Sequence, residues 1–162
     1  METESLTLRP YEPEDRDQFL ALVSNPDLMA RVGGPVPLQN AVDLFDRLVA
    51  HDLNEAELAW AIILRHESTF IGHVVLQKRH TDVIPQIGFV LHAEHWGRGF
   101  ATEAAFAVLQ HALADLGHDL IEASVDPDHT ASKRVLHKIG MRLAREESDE
   151  DGAYLVYSID RL

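Results

Sequence analysis

Apolar and polar residues alternate along the first half of this chain with two periods, which predict one strand, two helices and then three strands. The first strand is predicted over residues 6–10. Pro13, followed by two acidic residues, is typical of a helix start, and this helix carries apolar residues up to Asn25-Pro26. Apolar residues recur every three or four positions over residues 40–52, which predicts the second helix, ending near Asp52. The three strands are predicted over residues 58–64, 69–78 and 85–92, with turns at Glu67-Ser68 and Thr81-Asp82.

The second half predicts a strand–helix–strand unit, a short helix and a closing hairpin. Alanine and other apolar residues at helical spacing predict a long helix over residues 99–116, with Gly117 as its C-cap. The next strand is predicted over residues 120–125. Because a helix joins it to the preceding strand, the two strands should be parallel and joined by a right-handed crossover. The short helix is predicted over residues 130–138 and the hairpin strands over residues 141–147 and 153–160.

Composition and charge narrow the function classes. The chain has 162 residues, of which 46% are hydrophobic and 25% charged, and it has neither internal repeats nor a linker, so one domain over residues 1–162 is expected. No apolar run approaches the roughly 18–20 residues of a membrane-spanning helix, and the acidic first residues do not resemble a signal peptide. A cytoplasmic location is therefore expected. The absence of cysteine excludes disulfides, thiolate nucleophiles and Cys-ligated zinc.

The net charge of −13 bears on the partners of this protein. It disfavours nonspecific attraction to nucleic acid or to an anionic membrane, so neither partner is expected. An acidic protein instead attracts a cationic small molecule or peptide.

A glycine-rich turn stands between the strand that ends near residue 92 and the long helix. Its sequence is His95-Trp-Gly-Arg-Gly-Phe-Ala-Thr-Glu-Ala104. Free N–H groups and the positive dipole end at a helix start favour anions, so the turn predicts a phosphate site. It lacks the Lys-Ser/Thr pair of a P-loop, and Thr102 stands where a dinucleotide fingerprint has its third glycine. Taken alone, Gly-x-Gly is equally consistent with a plain tight turn.

Together with several spaced segments, this turn resembles the GNAT family of acetyl-coenzyme A-dependent N-acetyltransferases. The other segments are Ile87-Gly-Phe-Val-Leu91, Ile121-Glu-Ala-Ser-Val-Asp-Pro127 and Ala131-Ser-Lys-Arg-Val-Leu-His-Lys-Ile-Gly-Met141. The opening segment, residues 6–15, and the strand that contains Gly72 resemble the branch of ribosomal-protein N-terminal (RimJ/RimL-type) acetyltransferases. The resemblance covers nearly the whole chain. It implies an α/β fold with a mixed sheet of about seven mostly antiparallel strands, one parallel pair splayed at the cofactor site, and four helices.

The resemblance implies acetyl-coenzyme A as the cosubstrate. Main-chain groups of Phe89, Val90 and Leu91 would contact the pantetheine arm and position the acetyl carbonyl, whereas ordinary core packing is the alternative. The pyrophosphate would bind main-chain N–H groups of the turn. The cofactor-binding residues implied there are Trp96, whose side chain is expected to pack rather than to catalyse, Gly97, Arg98, Gly99, Phe100, Ala101 and Thr102.

The residues that would transfer protons depart from the family pattern. The short helix begins His129-Thr-Ala-Ser132 where the family has Asn-x-x-Ser, and Leu136 takes the place of the tyrosine that protonates the thiolate in many members. Ser132 is therefore the predicted catalytic donor to the sulfur, and a hydroxyl that only bonds to backbone is the alternative. His129 is a predicted cofactor contact or proton carrier, or else an ordinary loop histidine. Gln86 stands where a glutamate base is frequent.

No general base can be assigned from the sequence. His92, Glu122 and Asp126 are candidates, and proton relay through water is the alternative. The His92-Ala-Glu-His95 segment lacks the spacing of a zinc-enzyme helix and has no third ligand, so no metal site is predicted. The acidic segment at residues 146–151 is either a solvated hairpin turn or part of the site for a cationic acceptor.

Two functions follow. The first is transfer of an acetyl group from acetyl-coenzyme A to a primary amine, either a protein N-terminus or a small molecule, by direct attack in a ternary complex. The second is a catalytically weak GNAT-fold module that binds acyl-coenzyme A as a sensor. Both a monomer and a homodimer are compatible with the sequence.

Overall fold

Seven strands form one open mixed sheet in the computed structural model, which describes residues 1–51, 57–78 and 83–161. The strands are β1 (Leu6–Arg9), β2 (Glu57–Leu64), β3 (Thr69–Gln77), β4 (Gln86–Leu91), β5 (Leu120–Val125), β6 (Arg142–Asp149) and β7 (Gly152–Asp160). Their order across the sheet is β1-β2-β3-β4-β5-β7-β6. Neighbouring strands are antiparallel except β4 and β5, which are parallel. The predicted mixed sheet with one parallel pair is confirmed.

Five helices accompany the sheet in the described ranges, one more than the sequence predicted. They are α1 (Arg16–Val23), α2 (Pro26–Met29), α3 (Leu38–Val49), α4 (Phe100–Gln110) and α5 (Thr130–Lys138). The additional helix, α2, is a single turn that begins at the Asn25-Pro26 pair taken above as the end of the first helix. The Asn25 side chain accepts hydrogen bonds from the N–H groups of Asp27 and Leu28, and proline fits the first helical position.

The predicted helix boundaries hold with small shifts. Pro13–Asp15 form a 3₁₀ turn that leads into α1. The helix predicted over residues 99–116 continues beyond α4 as a π-helical segment, His111–Asp115, and Gly117 follows with a φ of 72°. The predicted end of the second helix at Asp52 and the predicted turn at Thr81-Asp82 lie outside the described residues.

The two faces of the sheet bury separate hydrophobic clusters. Side chains alternate between faces along a strand, so Ile62 belongs to the cluster covered by α4, and its neighbour Ile63 to the one covered by α1 and α3. Burial of each large apolar side chain in these clusters stabilises the folded state by roughly 1.5–3 kcal/mol. Among the described residues, no helix is both long enough and apolar enough to cross a membrane.

Candidate active site

The parallel strands β4 and β5 separate immediately after they meet. Their Cα pairing is limited to Gln86 with Glu122, next to which the Glu122 N–H donates to the Pro85 carbonyl at 3.0 Å. Beyond this point β4 continues to pair with β3, and β5 with β7. The edge of β4 that faces β5 is therefore free of strand pairing from Ile87 to Leu91. An extended ligand can occupy such a gap in the manner of an added strand.

Gly72 on β3 lets the end of β4 approach β3 closely, beyond the point where β4 leaves β5. A Cβ atom at Gly72 would lie 2.4 Å from the carbonyl oxygen of Val90. The register of β3 is also irregular here, since Ile62 pairs with Gly72 whereas Ile63 pairs with Phe70. A bulge beside a residue without a side chain permits this close approach of two backbones. The sequence pattern singled out the Gly72 strand only as a family feature, and the contact with Val90 gives it a physical role.

The glycine-rich turn leads from the end of β4 into α4. Gly97 and Gly99 have φ angles of 72° and 87°, a left-handed conformation that residues with a Cβ rarely adopt. Gly99 is the N-cap of α4, and no side chain caps the helix. The N–H groups of the first turn, including those of Ala101 and Thr102, lack intrahelical acceptors. A Cβ on either glycine would meet no atom within 4 Å, so the space before these groups is open. This geometry fits an anionic pyrophosphate.

The side chains of Trp96, Arg98 and Phe100 make contacts within and beside the turn. The guanidinium carbon of Arg98 lies 4.7 Å from the centre of the Phe100 ring, and Phe100 is buried. Phe100 can therefore offer a ligand its main-chain N–H rather than its ring. Trp96 was expected to pack, yet it is 57% exposed. Its indole N–H donates a 2.9 Å hydrogen bond to the Leu91 carbonyl, so Trp96 ties the turn to the end of β4.

The start of α5 presents Ser132 without a partner. Ser132 is half-buried, and its hydroxyl makes no hydrogen bond with any described residue, so it does not act there as a backbone cap. Leu136 is 1% exposed and belongs to the core. His129 is the N-cap residue of α5 and also caps nothing with its side chain. Burial, with a smaller contribution from Arg31, lowers the pKa of His129, so its imidazole is neutral at pH 7.

Two of the three candidate bases, Glu122 and Asp126, already interact with other residues of the protein. Glu122 is 4% exposed, and its two carboxylate oxygens accept hydrogen bonds from Arg145 at 2.5 and 3.0 Å. These bonds raise the pKa of the Arg145 guanidinium. Asp126 accepts a hydrogen bond from the Asp128 N–H at 2.8 Å and lies 3.7 Å from Arg31. Both carboxylates are thus already engaged by hydrogen-bond donors or a cation.

The third candidate base, His92, follows β4 directly. Burial lowers the pKa of His92, and its Nε2 atom is buried without a hydrogen-bond partner. His95 is also buried; neither ring nitrogen makes a well-aligned hydrogen bond, and its Nε2 atom lies 3.3 Å from a carboxylate oxygen of Glu94. In the portion of the chain that the structure describes, no group of three or more His, Asp or Glu side chains is arranged to hold a metal ion.

Gln86 is hydrogen-bonded to Ser124, a residue to which the sequence analysis assigned no role. The hydroxyl of Ser124 on β5 donates a 3.0 Å hydrogen bond to the Gln86 Oε1 atom, across the point where the two strands diverge. Ser124 lies within the Ile121–Pro127 segment of the family resemblance. The sequence of that segment alone does not indicate that the Ser124 side chain contacts Gln86 on β4. The pair links the two sides of the gap at its closed end.

A cleft of about 680 Å³ opens on the α1–α3 face of the sheet, beside this gap. Its floor includes side chains of β3, β4 and β5, among them His73, Gln86 and Ser124. The loop after α2 and the tip of the β6–β7 hairpin form walls. The acidic residues that line it are Glu57, Asp126, Asp149 and Asp151. Arg31 is the one Lys or Arg side chain among the described lining residues, and it faces Asp126. The cleft is therefore negatively charged and suits a cation.

Comparison with known proteins identifies the family. The family model for the acetyltransferase (GNAT) domain matches residues 5–142. The chain belongs to the GNAT family of acetyltransferases. An uncharacterised N-acetyltransferase of Bacillus subtilis, YnaD, is 29% identical to it over 140 residues, which cover 86% of this chain and 81% of that protein.

Two solved structures extend the comparison. An acetyltransferase from Agrobacterium tumefaciens is 29% identical, with a TM-score of 0.82 and coverage of 98% of this chain and 92% of the other. A spermidine N-acetyltransferase from Vibrio cholerae, in complex with CoA and spermine, is 18% identical, with a TM-score of 0.83 and coverage of 98% and 97%. The predicted family, fold and enzyme class are confirmed, and acetyl-coenzyme A is the acetyl donor that the family uses.

Proposed function

We propose that this protein transfers an acetyl group from acetyl-coenzyme A to a cationic primary amine, by direct attack in a ternary complex. The observation that carries the proposal is the gap between β4 and β5, which has the glycine-rich turn at one end and borders the acidic cleft. We further propose that a single domain over residues 1–162 carries this activity. Trp96 in the turn and Leu136 in place of a tyrosine support membership of the RimJ/RimL-type branch.

The chain offers binding groups along the whole path of the cosubstrate, which supplies an activated thioester when bound. Main-chain N–H groups from Gly97 to Thr102 would hold the pyrophosphate at the start of α4. The unpaired edge of Phe89, Val90 and Leu91 would bond the pantetheine arm. His129 and Ser132 would face this arm from the start of α5.

Acetyl transfer forms a bond between the amine nitrogen and the acetyl carbon and breaks the bond between that carbon and sulfur. An N–H group at the end of β4 would donate to the carbonyl oxygen as negative charge develops on it. The unpartnered Ser132 hydroxyl would donate to the sulfur, which gains a proton. The ammonium group must first lose one proton to become a nucleophile, and water in the cleft near Gln86 and Ser124 would receive it, because an amide does not accept a proton at neutral pH. The nitrogen loses a second proton as the new bond forms, which balances the proton that the sulfur gains.

The charge of the cleft supports a cationic acceptor. Four carboxylates line the cleft and attract an ammonium group as it approaches, which raises the rate of encounter. The hairpin tip contributes Asp149 and Asp151, so the acidic segment of residues 146–151 would serve recognition of the acceptor. The Vibrio cholerae neighbour holds the polycation spermine together with CoA, which is consistent with this chemistry.

The sensor function is the alternative, because a cofactor site without an assigned base would also suit a binding module. Release of free coenzyme A from acetyl-coenzyme A, followed with a thiol reagent against a panel of primary amines, tests the proposal. We expect at least one cationic amine to accelerate release well above hydrolysis, with the acetylated amine detected by mass spectrometry. Calorimetric binding of acetyl-coenzyme A without acceleration by any amine would instead support the sensor. Absence of binding would overturn both.

A further inference from the structure

The floor of the cleft contains a histidine that is held by a buried tyrosine. His73 lies on β3, pairs with Val90 at the open edge of β4, and lines the cleft. Residues paired across antiparallel strands present their side chains to the same face. The His73 Nδ1 atom lies 2.5 Å from the hydroxyl oxygen of Tyr11, and Tyr11 is 3% exposed. The rings of Phe19 and Tyr11, with centroids each 5.8 Å from that of His73, fix the imidazole from the side of α1.

The tyrosine determines which nitrogen of His73 carries the proton. His73 is the sole hydrogen-bond partner of the Tyr11 hydroxyl among the described residues. If Nδ1 carried the proton, the tyrosine hydrogen would be buried without an acceptor, which is costly. Donation from Tyr11 to Nδ1 satisfies both groups. The proton of the neutral imidazole then resides on Nε2.

His73 therefore offers the cleft a hydrogen-bond donor. Its Nε2 atom has no protein partner among the described residues and is not fully enclosed. Burial lowers the pKa of His73 to about 4, so the ring is neutral at pH 7 and does not repel an ammonium group. With Nε2 protonated, however, the ring cannot accept a hydrogen bond from that group. An uncharged donor at the floor and carboxylates around it match an acceptor molecule that has both a cationic nitrogen and an oxygen atom.

We propose that His73, positioned by Tyr11, selects primary amines whose amine-bearing carbon is attached to a carbonyl group, as in the α-amine of a peptide. This proposal rests on the proposed acetyl transfer and deepens it. A peptide N-terminus provides the carbonyl oxygen for Nε2–H and the amine for attack. A polyamine such as spermidine offers only N–H donors when protonated and leaves Nε2–H unpaired. Sites built to hydrogen-bond one polar group reject analogues that lack it.

Steady-state kinetics with two acceptors tests this selection. An alanine-initiated tripeptide and spermidine are compared in the wild type, His73→Leu, His73→Gln and Tyr11→Phe. We expect the wild type to prefer the peptide by about tenfold or more in kcat/KM. His73→Leu should remove most of that preference by raising the KM for the peptide. His73→Gln, whose amide N–H reaches the position of Nε2, should recover it. Tyr11→Phe should weaken the preference because Nδ1 then competes for the proton.

A matched control and a second variant keep the test decisive. Tyr157 is a buried tyrosine whose hydroxyl lies 3.4 Å from His137 Nε2, so Tyr157→Phe removes a similar group elsewhere and should keep the preference. If His73→Leu does not fold, His73→Asn replaces it, because its shorter amide reaches the position of Nδ1 instead. Equal loss with both acceptors, or a wild type that favours spermidine, would overturn the selection while acetyl transfer stands. A wild type that acetylates neither these acceptors nor any other amine would overturn acetyl transfer itself, and the selection with it.

Discussion

The indole N–H of Trp96 donates a 2.9 Å hydrogen bond to the main-chain carbonyl of Leu91. This bond joins the last residue of β4 to the residue before Gly97. It therefore links the strand edge proposed to bind pantetheine with the turn proposed to bind pyrophosphate. Because Trp96 is 57% exposed, the bond rather than burial of the ring accounts for its position.

Trp96→Phe should weaken binding of acetyl-coenzyme A while leaving the chemical step intact. Phenylalanine keeps an aromatic ring but has no N–H to donate, and one hydrogen bond contributes about 0.5–1.5 kcal/mol. We expect the Kd for acetyl-coenzyme A, measured by calorimetry, to rise about three- to tenfold, with kcat nearly unchanged. Trp60→Phe on β2 is the matched control and should not alter the Kd. A fall in kcat with an unchanged Kd would contradict a role of the Trp96–Leu91 hydrogen bond in binding acetyl-coenzyme A.

The outline of this fold could be predicted from the sequence because its signals are local. The strand–helix–strand pattern around the glycine-rich turn required a parallel pair, and β4 and β5 form one. The one-turn helix α2 was missed because four residues are too few to display helical periodicity. Its start signal, Asn25-Pro26, was equally consistent with the end of the preceding helix.

Parts of the site could not be predicted because they depend on contacts between distant segments. Nothing in the local sequence relates Tyr11 to His73, which are 62 positions apart, or Glu122 to Arg145, which are 23 apart. The sequence therefore leaves Glu122 among three candidate bases and gives no sign of its hydrogen bonds with Arg145. The turn and Ser132 could be singled out from the sequence because they lie in continuous motifs, and their roles stay predictions.

Gly99→Val should abolish or greatly weaken coenzyme A binding without unfolding the protein. Valine disfavours the φ of 87° at this position, and shifting the backbone would misdirect the N–H groups of the first helical turn. We expect affinity for coenzyme A to fall about five- to 150-fold, from a strain of roughly 1–3 kcal/mol. Gly117→Val introduces similar strain at a φ of 72° away from the turn and should keep affinity. Unchanged binding by Gly99→Val would remove the basis for the phosphate site.

Ser132→Ala should lower kcat without changing affinity for acetyl-coenzyme A. A serine hydroxyl is a poor acid, so it would act mainly by donating a hydrogen bond to sulfur as negative charge grows. We expect kcat to fall about tenfold to a hundredfold, near or below the lower end of the range for positioned proton-transfer groups. Thr130→Val, which removes another hydroxyl from α5, is the control and should retain activity. If Ser132→Ala matches the wild type at every pH, water protonates the sulfur.

Gln86→Glu should increase the rate at neutral pH by introducing a proton acceptor at the closed end of the gap. The Ser124 hydroxyl already donates to the Gln86 Oε1 atom and can donate to a carboxylate in the same place. We expect a rise in kcat/KM well below the roughly 10²–10⁴-fold of an optimised base, together with a new acidic limb in its pH profile. Gln77→Glu adds a carboxylate to the same cleft and should produce no such limb. A rise of equal size in both variants would indicate attraction of the cationic amine rather than base catalysis.

The half-buried imidazole of His73 should make the folded protein less stable as the pH falls below neutral. Burial lowers the pKa of His73 from 6.5 to about 4. Between those values the unfolded chain binds a proton that the folded chain does not, so stability rises with pH through this window and is constant with respect to His73 below it. The difference of about two and a half pH units between the pKa values of the unfolded and folded chain corresponds to about 3 kcal/mol in the free energy of unfolding.

Chemical denaturation of the wild type and of His73→Gln at pH 7.0 and 4.5 isolates this contribution from the titrating carboxylates. We expect the wild type to lose about 2–3 kcal/mol more than the variant over this interval. Equal losses would mean that His73 takes up its proton in the folded protein near its ordinary pKa, and that the imidazole is more exposed to water in solution than the contacts with Tyr11 and Phe19 imply.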